Sequence, residues 1–167
     1  FHDIIDNHCP SFVGDAGVAM NAYMKDLLRQ ADLIVAINIR FGESTTDGYS
    51  LFGAPKMAAK LVHSHASDAE IGKIYAPDLP IHAGPNAMAS ALAGITLPAS
   101  EARTAWRDAA RENYLAALNA PAQPGDVDMG MITAHIRDTL PEDAIITHGA
   151  GNFSIWPNKF ISYGKNQ

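Results

Sequence analysis

A short, unbroken run of mostly β-branched residues, Leu33-Ile34-Val35-Ala36-Ile37, limits the possible folds more than any other part of the chain. Such a run is the pattern of a strand covered on both faces in a parallel sheet. It leads at once into a polar stretch, Asn38 to Tyr49, holding Arg40, Glu43, Ser44, Thr45 and Thr46. In open α/β sheets ligands bind beyond the carboxyl ends of strands, so these five residues stand where a binding loop belongs. Polar strand ends are also common where nothing binds.

Around this strand the pattern alternates. Upstream, Met20, Tyr23, Met24, Leu27 and Leu28 recur at the spacing of one helical face, behind a Gly14-Asp15-Ala16-Gly17 turn in which Asp15 can cap the helix. Downstream, Lys60 to Ser64 reads as a second strand and Ser67-Asp68-Ala69-Glu70 as a capping box opening a short helix. Leu79 to Ala83 reads as a third strand, and Asn86 to Ala93 as a small-residue helix. Strand and helix in alternation predict an α/β fold with a Rossmann-like parallel sheet. His63 and His65 share a face of the second strand, but sequence places no third or fourth ligand beside them, so a structural or surface role is expected and no metal site is assigned.

From Pro98 the character changes. Ser100 to Asn119 forms a long amphipathic helix with Trp106, Ala110, Tyr114, Ala117 and Leu118 on one face, and Pro121-Ala122-Gln123-Pro124-Gly125 breaks it as a linker. Val127 to Leu140 is a further helix with Met131, Ile132, His135, Ile136 and Leu140 inward, and Asp143 to Thr147 a strand. A glycine-bearing turn follows, His148-Gly149-Ala150-Gly151-Asn152-Phe153, which lets a backbone approach a ligand closely. The organisation expected is therefore a partial Rossmann-like domain over 1–97, a helix and linker over 98–126, and the opening helix-strand-helix of a second α/β domain over 127–167.

Composition excludes some partners. The 167 residues carry 18 acidic and 12 basic side chains, a net charge of -6, which argues against a phosphate-backbone partner. No apolar run approaches the roughly 20 residues needed to span a bilayer. The single cysteine, Cys9, cannot make an internal disulfide and fits a reducing, cytoplasmic setting; only His8 stands beside it, so it is read as an incidental thiol.

The ordered set of these motifs resembles the acetolactate-synthase-like family of thiamine diphosphate enzymes. Ala31 to Ile37 followed by Arg40-Phe41-Gly42, then Leu61-Val62-His63 and Glu70-Ile71-Gly72-Lys73, are similar to that family's central domain. Leu140-Pro141-Glu142-Asp143-Ala144, then Thr147 to Asn152 with Trp156, are similar to the entry of its diphosphate-binding domain. The resemblance implies a parent enzyme that makes or breaks a carbon–carbon bond next to a carbonyl, a lyase or transferase acting on a 2-oxo acid. It also implies thiamine diphosphate and Mg2+ as cofactors, and assembly as a homodimer or homotetramer. Ala150, Gly151, Asn152 and Phe153 then fall on the diphosphate side of the cofactor. Some relatives carry Gln-His where this chain has Asn152-Phe153; Asn keeps a hydrogen-bond donor there and Phe does not.

The resemblance also makes this sequence a middle slice. The family's activating glutamate and its Gly-Asp-Gly metal motif have no counterpart, and Gly125-Asp126-Val127 lies in the linker. No catalytic residue is therefore assigned, and the slice is expected to be inactive and poorly stable or associating by itself. Some relatives bind flavin (FAD) or ADP in the central domain through the arginine matching Arg40. Asn38 replaces the usual glycine there, and His65 and Ser67 replace the acidic pair that would accept ribose hydroxyls, which weighs against a nucleotide. The competing reading is a stand-alone Rossmann-like module that binds a nucleotide or a partner without catalysis.

Overall fold

A computed structural model describes residues 4–164. They form two compact units: one is Ala16–Ala99, and the other joins residues 4–15 to the stretch from Ser100 onward.

Within Ala16–Ala99, helix α1 (Ala22–Gln30) precedes strand β1 (Leu33–Ile37), and strands β2 (Lys60–His65) and β3 (Leu79–His82) follow, with helix α2 (Pro85–Ala93) closing the unit. All pairings are parallel, in the order β1-β2-β3, with Val35 opposite Val62 and Val62 opposite Leu79. The Rossmann-like α/β expectation is met. Helix α1 starts behind Asn21, so Asp15 is not its cap, and α2 starts with Pro85, whose missing N–H costs nothing in a first turn.

The core lies on one face of the sheet. Ala36, Phe41, Met57, Leu61 and Tyr75 form the buried cluster, with Ile34, Ile39, Phe52 and Ile74 packed against it. The expectation that β1 is covered on both faces fails: Leu33, Val35 and Ile37 are 51%, 41% and 36% exposed. These alternate with the buried set because side chains of a strand point to opposite faces, and the unit supplies a full apolar layer to only one of them. The Ser67 capping box also does not close. Ser67 makes no side-chain cap to the 3-10 turn Asp68–Glu70, and Glu70 turns instead to Lys73.

In the second unit, helix α3 (Glu101–Ala117) is capped by Ser100, whose hydroxyl accepts the Arg103 N–H, and it buries Ala110 and Tyr114 while Trp106 stays half exposed. Residues 4–15 return onto this helix. Arg111 donates to the carbonyls of Asn7 and Phe12 at 2.8 and 2.7 Å, and Phe12 meets the Tyr114 ring edge-on at 5.1 Å. Asn7, 1% exposed, exchanges two bonds with Tyr163, a backbone N–H donated to its carbonyl at 2.8 Å and the Tyr163 N–H accepted on Oδ1 at 3.0 Å.

Helix α4 (Met129–Thr139) is capped by Asp128. Its buried face is not the expected large apolar stripe. Gly130 and Thr133 are buried, while Met131 is 72% exposed and Ile132, Ile136 and Leu140 are exposed too. Close approach explains the choice, since a Cβ on Gly130 would lie 2.5 Å from that of Ala120. The expected strand Asp143–Thr147 does not form, because no described segment lies alongside to complete a ladder, and Ile145 is 81% exposed. The chain then passes a 3-10 turn, Asn152–Ser154, into helix α5 (Ile155–Phe160). Among the described residues no helix is long and apolar enough to cross a membrane.

Candidate functional sites

The loop after β1 is held from inside by Thr46. Fully buried, Thr46 donates its hydroxyl to the Gly42 carbonyl at 2.8 Å and accepts the Tyr49 N–H at 3.1 Å. Lys25 of α1 clamps Asp47 at 2.7 Å. Asn38, Asp47 and Tyr49 adopt left-handed backbone with φ of 53°, 53° and 62°. Asn and Asp tolerate that region, whereas Tyr rarely does, so the fixed loop holds Tyr49 in a strained conformation.

This loop and the segment after β2 enclose a cavity of about 230 Å³ lined by Arg40, Phe41, Gly42, Tyr49, Glu70, Lys73 and Ile74. Of the five loop residues expected from sequence, only Arg40 lines it. Thr46 is the loop's internal staple, Glu43 contributes its carbonyl to the turn, and Ser44 and Thr45 lie outside the lining. Sequence reasoning missed Tyr49, Lys73 and Ile74 as wall residues; Glu70 and Lys73 stand three apart, the spacing at which opposite charges meet on a turn. Their ion pair measures 3.1 Å, and the Lys73 hydrogen bond holds the Glu70 carboxyl below the usual carboxylate range, against a smaller desolvation effect and aided by the fields of Lys73, Arg40 and His65. Among the described residues no carboxylate forms an ion pair with Arg40.

The histidines of β2 hold backbone groups. His63, 1% exposed, accepts the Gly72 N–H on Nδ1 at 3.4 Å and donates Nε2–H to the Ile39 carbonyl at 3.1 Å, edge-on to Phe41. His65 is buried and accepts the Ser67 N–H on Nδ1 at 2.9 Å. Among the described residues no group of three or more His, Cys, Asp or Glu is placed to hold a metal ion.

In the other unit, the glycine turn is exposed from His148 to Phe153, so its backbone is open to a ligand. Ala150, Gly151, Asn152 and Phe153 are brought together by the turn itself. Gly151 has φ of 152°, and a Cβ there would stand 2.9 Å from the Phe153 ring, which folds back over the turn. Ser154 locks the arrangement by donating its N–H and hydroxyl to the Gly151 carbonyl at 3.0 and 2.7 Å. An open glycine backbone next to an exposed Asn amide offers donors that suit phosphate oxygens. A larger hollow of about 820 Å³ in this unit includes none of these four residues in its lining, and its two arginines, Arg111 and Arg137, are spent on backbone carbonyls.

Residues 2–92 match the family model described as thiamine pyrophosphate enzyme, central domain. The acetolactate synthase large subunit of Corynebacterium glutamicum is 32% identical over 152 residues, 83% of this chain and 22% of that protein. An acetolactate synthase of Mycobacterium leprae is 28% identical over 145 residues, 83% of this chain and 23% of its own length. The large subunit of Parasynechococcus marenigrum is 28% identical over 161 residues, covering 91% and 24%. The chain thus spans less than a quarter of the length of the curated relatives it matches.

Proposed function

The chain belongs to the thiamine pyrophosphate enzymes, matching their central domain over more than half its length, and on that premise we propose that it is part of an acetolactate-synthase-like enzyme acting on 2-oxo acids. The whole protein makes or breaks a carbon–carbon bond next to a carbonyl, as a lyase or transferase. It works in the cytoplasm as a homodimer or homotetramer. The observation that carries this reading is the central-domain match, followed downstream by an open glycine turn ahead of Trp156.

Thiamine diphosphate, when bound, supplies the carbanion-stabilising centre that such chemistry needs, and the protein supplies orientation and electrostatics. The part of this chain is to receive the diphosphate end. Backbone of Ala150 and Gly151 lies open there, and the Asn152 side chain donates to a phosphate oxygen. Phe153 contributes an apolar wall in place of a second donor. Mg2+, in this proposal, is held by acidic ligands that the turn itself does not supply. The 167-residue chain by itself is expected to be inactive.

Thermal unfolding with and without thiamine diphosphate plus magnesium tests this. A binder of the native state raises its melting temperature by mass action. The whole protein is expected to respond and the 167-residue chain to stay unmoved; a clear rise for the chain alone contradicts the assignment of the metal ligands.

A further inference from the structure

At the carboxyl ends of β1, β2 and β3, where an open parallel sheet offers its ligand crevice, this chain has filled the space with its own polar groups. The Asn38 N–H is donated to the Ser64 carbonyl at 2.7 Å, and its Oδ1 accepts the Ala66 N–H at 3.3 Å. Nδ1 of His65, a residue only 6% exposed, takes the Ser67 N–H. Nε2–H of His82 donates to the Ala66 carbonyl at 3.1 Å, and the Ser64 hydroxyl to the Ala83 carbonyl at 3.0 Å. A nucleotide's ribose needs a free acceptor just past the second strand, and the groups standing there are already committed to one another. Flavin and ADP do not fit this arrangement.

What remains open is the cavity beside Arg40. At about 230 Å³ it lies below the roughly 300–1,000 Å³ of pockets that enclose drug-sized ligands. Its charges do not balance: two cations, Arg40 and Lys73, share the one carboxylate of Glu70, with Lys73 making the direct contact, which leaves the cavity a net positive charge in a chain of net charge -6. Phe41, Tyr49 and Ile74 supply an apolar wall beside it. The loop that carries Arg40 is fixed in advance by Thr46 and by the Lys25–Asp47 pair, so a ligand need not order it. We propose that this cavity binds a small monocarboxylate with a short aliphatic body, its carboxylate on the Arg40 fork and its body against Phe41, Tyr49 and Ile74. A guanidinium matches a carboxylate with two parallel hydrogen bonds, and a body of a few carbons uses the wall that a bare inorganic ion would leave wet. The proposal rests on the geometry of Ala16–Ala99 alone and stands or falls separately from the enzyme reading.

The test is a backbone amide NMR titration of the protein with sodium butyrate, with sodium chloride at equal ionic strength as the control. Saturable shifts are expected at Gly42, Tyr49, Lys73 and Ile74. Arg40→Gln should weaken binding about tenfold or more, the worth of a charge-assisted contact, with the rest of the spectrum unchanged. Tyr49→Ala, which keeps the charge and removes the wall, should weaken it as well. ADP and FAD should leave these amides unmoved. The proposal is overturned by shifts that match the chloride control, by unchanged binding in Arg40→Gln, by saturation with ADP or FAD, or by inorganic phosphate saturating the site where butyrate does not.

Discussion

Replacing Tyr75 by Phe should make the protein more stable, although it deletes a polar group from the centre of a core. Tyr75 is fully buried, edge-on to Phe41 and Phe52, and its hydroxyl is buried without a hydrogen-bond partner among the described residues. An unsatisfied buried polar group costs about 1–3 kcal/mol, which Phe avoids while keeping both ring contacts. Against this stands the void left by one oxygen, about 10 Å³, worth about 0.2 kcal/mol at the usual cost of cavity volume. The net expectation is a gain of about 1–3 kcal/mol, at roughly 4–8 °C in melting temperature per kcal/mol for a unit of this size. The two tryptophans, Trp106 and Trp156, both lie outside Ala16–Ala99, so urea unfolding must be followed by circular dichroism rather than by tryptophan emission. A variant that unfolds at lower urea with an unchanged slope would refute the reasoning, since the hydroxyl must then have a partner such as a buried water.

Other substitutions test the remaining contacts. Leu61→Ala, at a fully buried site in the central strand, should cost about 2–5 kcal/mol in the same assay. Asn7→Ala should cost about 1–3 kcal/mol, read from tryptophan emission, because the Tyr163 N–H loses its acceptor and the Ile5 carbonyl its donor. Asp128 accepts the N–H groups of Gln123 and Met131, which hold its carboxyl below the ordinary range. Its contribution is therefore complete above the ordinary carboxylate pKa and disappears as pH falls through the lowered native value. Asp128→Ala should accordingly lower the melting temperature at neutral pH and make little difference in strong acid.

Much of the sheet was legible because it is local. The run Leu33 to Ile37 and the segment from Lys60 carry strand composition in themselves, and the long connections 38–59 and 66–78 leave room for parallel crossovers, although these described stretches hold no α-helix and the second holds just the 3-10 turn Asp68–Glu70. The misreadings share one cause: they depend on what lies next to an element, not on its own pattern. Asp143 to Thr147 has strand composition, but a strand exists only when a neighbour completes its ladder. The inward face of α4 was assigned by hydrophobicity, yet the spacing between backbones selected Gly130 and Thr133. The Arg40 cavity divides in the same way. Arg40 follows directly from the strand end, whereas Lys73 and Ile74 reach the cavity through the fold of a later segment.

Consumption of short 2-oxo acids by the whole protein, measured with magnesium and with or without thiamine diphosphate, decides whether the assignment to acetolactate-synthase-like chemistry stands. Turnover is expected to stop when cofactor is withheld and to fall when Asn152 is replaced by Ala. Loss of 2-oxo acid at the same rate without the cofactor, or none by a folded protein that has bound it, would rule that chemistry out.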